Sequence, residues 1–92
     1  MPTIYIPGLM RRFSNHKAQV QLPLTQGTLI KLLLNLEETC PGIKGQICDD
    51  AGVIKRYVNV FVNGREIRCL DGVSTIIEDK DEIHIIPAMA GG

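Results

Sequence analysis

The sequence predicts an α+β domain in which one long helix packs on one face of a mixed β-sheet. Three observations support this fold class. Apolar and polar residues alternate near both ends of the chain, four leucines recur at helical spacing, and an Asn63-Gly64 pair indicates a β-hairpin. A chain of 92 residues suffices for one such domain with a modest hydrophobic core.

The N-terminal part of the chain predicts an opening hairpin. Residues 1–7 and 17–22 each alternate between apolar and polar side chains, which is typical of half-buried strands. A short mixed segment with a turn at 14–16 joins them. The next segment, 23–27, is predicted to be a connection.

One amphipathic helix follows this connection. Thr28 is expected to cap its first turn, because a hydroxyl accepts a hydrogen bond from a free backbone N–H. Its apolar face consists of Leu29, Leu32, Leu33 and Leu36. Each fully buried leucine stabilises the fold by about 1.5–3 kcal/mol. Pro41-Gly42 ends the helix, and Ile43 and Ile47 indicate one short helical turn beyond it.

Three strands are predicted in the second half of the chain. Residues 57–62 are rich in β-branched and aromatic side chains. Asn63-Gly64 leads into a return strand at 65–68. The last strand, 82–86, ends at Pro87, because proline has no N–H to donate to a sheet. The predicted order is therefore β-β-α-β-β-β.

Composition and charge exclude several classes of function. Ten basic residues balance ten acidic ones, so nothing favours a nucleic-acid partner. Lys and Arg are scattered, and the longest apolar run, 29–36, is interrupted and too short to span a bilayer. We expect no membrane partner. No segment has the pattern of a signal peptide, which favours a cytoplasmic protein.

Neither a metal site nor a catalytic centre is expected. Cys40, Cys48 and Cys69 are odd in number and form no C-x-x-C pair, so we interpret them as reduced thiols. Asp49-Asp50 lacks the alternating acidic pattern of a calcium loop. No histidine has a serine or cysteine at the spacing of a known nucleophile motif. The protein is therefore expected to bind no metal and to be no enzyme.

The sequence predicts a domain at 1–87 and a flexible tail at 88–92. The tail consists of Ala88, Met89, Ala90, Gly91 and Gly92. These residues offer little to a core, and glycine has the conformational freedom to pass through a narrow channel. Fully extended, the tail reaches roughly 15–17 Å. A thin arm ending in a carboxylate indicates a function, and a frayed terminus is the alternative.

A single helix leaves the other face of the predicted sheet open. Strand alternation directs Phe61, His84 and Ile86 to that face, near the root of the tail. Together with Tyr5 they define a partner-docking patch: Tyr5, Phe61, His84 and Ile86. Exposed apolar surface of this kind is typical of interaction sites. The alternative is that loop 42–52 or the chain termini cover it.

Several of these features occur together in a known family. The V-N-V-F-V-N-G run at 58–64, the Asp79-x-Asp81 turn, the strand ending at Ile86-Pro87 and the terminal Gly91-Gly92 resemble the ThiS/MoaD family. Its members are ubiquitin-like β-grasp proteins that carry sulfur. The resemblance extends over essentially the whole chain and is most specific towards the C-terminus. It implies a β-grasp fold and a functional tail.

The resemblance also implies a chemistry for Gly92. An adenylating partner enzyme would use ATP to activate the Gly92 carboxylate, and a sulfur source would displace AMP to leave a thiocarboxylate. The carrier would bind no cofactor itself, and its patch would be the docking surface. Runs 56–63 and 86–92 look most like carriers for cysteine biosynthesis. There the acceptor is an activated serine on a pyridoxal-phosphate cysteine synthase, and a metalloprotease releases the cysteine.

Three alternatives remain open. A molybdopterin-synthase small subunit uses the same thiocarboxylate chemistry, although such chains usually end in a Pro-Pro-x-x-Gly-Gly-like run and position 88 is alanine here. A ubiquitin-like modifier would be joined to lysines through Gly92. A plain β-grasp binding module would not need its tail.

Overall fold

The computed structural model describes residues 1–23 and 26–87. The strands are β1 (Thr3–Tyr5), β2 (Gln19–Gln21), β3 (Gln26–Thr28), β4 (Val58–Val62), β5 (Arg65–Glu66), β6 (Ile76–Glu78) and β7 (Glu82–Pro87). The helices are α1 (Leu29–Thr39) and α2 (Lys44–Ile47), with 3-10 segments at Gly8–Phe13, Ile67–Cys69 and Gly72–Ser74. In the described part of the chain, no helix has the length and apolar character needed to cross a membrane.

Five strands form the main sheet, in the order β2-β1-β7-β4-β5. β1 pairs with β7 in parallel, and the other neighbours are antiparallel. The sheet is therefore mixed, as predicted, and the opening hairpin of β1 and β2 is confirmed. Asn63 and Gly64 both adopt positive φ, at 51° and 85°, which is typical of the tight turn predicted between β4 and β5.

The predicted helix is confirmed as α1. Thr28 caps it, since its Oγ1 accepts a hydrogen bond from the backbone N–H of Lys31 at 3.4 Å. All four leucines of the stripe are fully buried against the sheet. Ile43 and Ile47 are buried as well, so α2 and the residue before it extend the cover on this face.

The predicted order of elements is incomplete. The segment predicted as a connection, 23–27, overlaps β3, which pairs with β6 in a separate two-stranded sheet. Each of these strands has three residues, too few for an alternating pattern to be recognised. Their partners also lie about fifty positions apart, so no local turn signal links them.

The predicted return strand at 65–68 is also too long. β5 ends at Glu66, and the chain turns into the 3-10 segment Ile67–Cys69. The Glu66 side chain accepts a hydrogen bond from the Arg68 backbone N–H and caps this turn. Ile67 is thereby buried in the core. Burial of one isoleucine and a local cap together outweigh continued strand pairing.

Candidate functional site

The open face of the main sheet presents one row of side chains across all five strands. The pairing registers align Tyr5 with His84 and His84 with Phe61. In strand order, the row is Gln19, Tyr5, His84, Phe61 and Glu66. Three of the four predicted patch residues are therefore adjacent, with polar residues at both ends of the row.

The centre of this row is an aromatic stack. The rings of Tyr5 and His84 lie 4.2 Å apart between centroids and are parallel to within 1°. The parallel pairing of β1 with β7 places them directly side by side. Glu82 of the same strand places a carboxylate beside the stack, with its Oε1 4.0 Å from His84 Nε2. A stack of this kind gives the patch a flat, preformed surface.

Ile86 extends the patch towards the tail. It pairs with Asn59 of β4, and 48% of its surface is exposed. Loop 42–52 was the alternative cover for the patch. In the structure, its residues Ile43 and Ile47 pack into the core beside α1, on the opposite face of the sheet. The patch ends at Pro87, which lies opposite Val58 and forms the root of the tail.

The sequence did not single out Arg68, which lies beside this root. Its Nη1 donates to Asn59 Oδ1 at 2.9 Å and to Glu66 Oε1 at 2.7 Å. Its Nη2 donates to the backbone carbonyls of Lys55 and Val58, at 3.0 and 3.1 Å. The acceptors lie up to 13 positions away along the chain, so no local sequence signal indicates this role.

Glu66 and Arg68 form a mutually supporting pair. The pKa of the Glu66 carboxyl is lowered, first by the backbone N–H of Arg68 and then by its guanidinium. Glu66 is thus an anion next to Phe61 whose charge is offset by Arg68. The carboxylate that adjoins Phe61 is consequently paired with a cation.

The tail itself lies outside the described residues. This applies to every predicted tail position, namely Ala88, Met89, Ala90, Gly91 and Gly92. The structure therefore describes the surface from which the tail departs, and the role predicted for Gly92 stays a prediction.

The three cysteines are free thiols. Cys40 and Cys48 are buried, and burial raises the pKa of both thiols. A raised pKa reduces the thiolate fraction, so these two are poor nucleophiles. Cys69 is exposed but lies outside the patch. In the two described ranges, no group of three His, Cys, Asp or Glu side chains is arranged to hold a metal ion.

The topology and the site define a class of protein. One main helix on a mixed sheet, with the last strand running parallel to the first at its centre, is the ubiquitin-like β-grasp fold. The sequence profile of the ThiS family matches residues 4–92, which include Gly91 and Gly92. The chain belongs to the ThiS family.

Its relatives include a carrier and a modifier. Sulfur carrier protein CysO of Mycobacterium tuberculosis is 33% identical over 92 residues, covering 98% of this chain and 97% of the relative. Small archaeal modifier protein 3 of Haloferax volcanii is 40% identical over 65 residues, covering 71% of this chain and 70% of the relative. The crystal structure of the Amycolatopsis orientalis BexX/CysO complex matches with a TM-score of 0.91 and 27% identity, covering 100% of both chains.

Proposed function

We propose that this protein is a cytoplasmic sulfur carrier that holds sulfur as a thiocarboxylate on Gly92 and supplies it for cysteine biosynthesis. One observation supports this most directly. The family match continues through Gly92, on a domain whose last strand ends beside an apolar, open patch. The similarity to CysO over nearly its full length favours a carrier over other members of the family.

The Gly92 carboxylate needs activation before it can accept sulfur. A terminal carboxyl has a reference pKa of about 3.5, so it is ionised at neutral pH and is a poor electrophile. In the proposed reaction, an adenylating enzyme transfers AMP from ATP to this carboxylate and releases pyrophosphate. A sulfide donor then attacks the acyl carbon and expels AMP. The carrier is thus a substrate of its partners and needs no cofactor of its own.

The patch would position the folded carrier on its partners. Tyr5 and His84 provide a flat aromatic surface beside Phe61, and Ile86 links it to the tail root. A tail of roughly 15–17 Å can enter an active site while the domain remains on the enzyme surface. The Amycolatopsis CysO relative was crystallised in a complex with BexX, which supports docking of the folded domain.

For the acceptor, we propose a pyridoxal-phosphate cysteine synthase that holds an activated serine. The thiocarboxylate sulfur would form a C–S bond to the β-carbon of the activated serine, whose activating group leaves, so that cysteine becomes joined to Gly92. Hydrolysis by a metalloprotease would then release cysteine and restore the Gly92 carboxylate. The molybdopterin-synthase alternative uses the same carrier chemistry with another acceptor. A pull-down separates them, because it would recover either the pyridoxal-phosphate enzyme or a molybdopterin-synthase large subunit.

A second candidate is a protein modifier joined to lysines through Gly92. The similarity to small archaeal modifier protein 3 favours this function specifically. Both functions begin with adenylation, and they differ in the nucleophile that receives the activated carboxylate. Isopeptide-linked adducts of Gly92 in cells would support the modifier and count against a role restricted to sulfur transfer.

The test is the mass of the C-terminal peptide after incubation with ATP, sulfide and the activating enzyme. We expect one oxygen to be replaced by sulfur at Gly92. Oxidation of Met89 in the same peptide gives nearly the same mass shift. The Met89→Leu variant removes that ambiguity and should still gain sulfur, whereas a variant lacking Gly92 should not. An unmodified Gly92, with an enzyme that is demonstrably active, would overturn the carrier function.

A further inference from the structure

The root of the tail is held from one side. β1 pairs with β7 only as far as His84, which lies opposite Tyr5. Beyond that point, residues 85–87 pair within the described chain only with residues 58–60 of β4. The position of residues 85–87, which precede the tail, therefore depends on how firmly the start of β4 is held.

The start of β4 has no strand on its other side. β5 pairs with Phe61 and Val62, and no described strand continues this pairing to Val58. An unpaired strand edge exposes backbone groups and is weakly restrained. Arg68 occupies this position instead, with its guanidinium bonded to the Val58 carbonyl and to the Asn59 side chain.

Arginine is suited to this role. Its rigid fork of five donors can satisfy several acceptors at once, which lysine cannot do in the same way. One nitrogen, Nη2, joins the carbonyls of Lys55 and Val58, the first and last residues of the turn that leads into β4. Glu66 orients the fork through its bond to Nη1. Both β4 residues bonded to Arg68 pair with the last two residues of β7.

We propose that Arg68 is a positioning residue with two linked effects. First, it holds the start of β4 and thereby fixes the position of the tail root. Second, this position allows Gly92 to reach the active site of the activating enzyme in a reactive orientation. The second part rests on the proposed function. Poor alignment of a reacting group lowers the rate at saturation even where the docking contacts are intact. Arg68 should consequently affect turnover more than binding.

Arg68→Lys tests this proposal, because it keeps the positive charge and removes the planar guanidinium with its several N–H donors. Two measurements are needed: amide hydrogen exchange of the free carrier, and the kinetics of adenylation at varied carrier concentration. We expect exchange at Asn59 and Ile86 to accelerate while exchange at Ile4 and Ile83 is unchanged. We expect kcat to fall ~10-fold, with KM within about twofold. Arg65→Lys, the same change at an exposed position of β5, is the matched control and should alter neither.

Each outcome decides part of the proposal. Unchanged exchange at Asn59 and Ile86 would overturn it, and a raised KM with unchanged kcat would make Arg68 a docking contact instead. If the wild-type carrier is not adenylated at all, the proposed function fails, and the exchange data alone decide whether Arg68 holds the tail root. If Arg68→Lys does not fold, Glu66→Gln weakens the orientation of the fork and should give smaller changes in the same direction.

Discussion

The two faces of the main sheet are built from the same strands but have opposite properties. On the covered face, Val60 is 0% exposed and Ile85 is 3% exposed beneath α1. On the open face, the next residue along β7, Ile86, is 48% exposed. One position along a strand therefore separates a core residue from a patch residue. Stability and docking should therefore be separable by substitution in this small domain.

The largest expected effect lies on the covered face. Leu33→Ala should lower the free energy of unfolding by about 2–5 kcal/mol, because it leaves a cavity at a fully buried position. Leu34 is the matched control, since it is the next residue of α1 and is 50% exposed. Leu34→Ala should change the free energy of unfolding by no more than about 0.5 kcal/mol. Urea denaturation of both variants measures the difference, and equal losses would contradict the one-sided burial of α1.

On the open face, the effect should be on binding instead. Phe61→Asp should weaken binding to the activating enzyme at least tenfold, about 1.4 kcal/mol, because it replaces an aromatic ring of the patch with a charge. The loss in unfolding free energy should stay near 1 kcal/mol, the span of strand preferences. Calorimetric titration and urea denaturation measure the two quantities.

The control for this variant is Ile76→Asp. Ile76 is 59% exposed in β6, outside the patch, so its substitution adds the same charge to a strand residue away from the half-buried Phe61. Binding should be unaffected by Ile76→Asp. A Phe61→Asp variant that unfolds would show that Phe61 belongs to the core and that the two faces are not independent.

Features with a repeating pattern could be predicted from the sequence. The leucine stripe of α1 repeats over two turns, and β4 alternates over five residues, so both the elements and their buried faces are confirmed. The same alternation predicts that Phe61, His84 and Ile86 lie on the open face, and Tyr5 is expected beside them. Their docking role is a separate matter and stays a prediction.

Features that depend on distant residues could not be predicted. Tyr5 stacks on His84 because the first and last strands run parallel, which no local pattern specifies. β3 and β6 are too short for a periodic signal. Arg68 and Glu37 act through backbone groups several positions away, and such contacts follow from the folded chain path.

The smallest predicted effect concerns Glu37, which stabilises a turn on the covered face of the sheet. Its carboxylate oxygens accept hydrogen bonds from the backbone N–H groups of Gly42 and Lys44, at 2.8 and 2.9 Å. These bonds hold the turn that delivers Ile43 and Ile47 to the core, and they lower the pKa of Glu37 below its ordinary value of 4.5. The ionised form is therefore favoured by folding.

The sign of the pH dependence follows from this lowered pKa. The contribution of Glu37 is complete above its ordinary pKa of 4.5 and is lost as the pH falls through the lower folded-state value. Glu37→Gln should thus be less stable than the wild type at pH 7, and the difference should shrink on acidification. Urea denaturation between pH 7 and pH 3 measures this, with the exposed neighbour Glu38→Gln as control. A difference that persists unchanged at the lowest pH would mean that the amide side chain disturbs the turn by its shape, and that ionisation of Glu37 contributes nothing to the cover of the sheet.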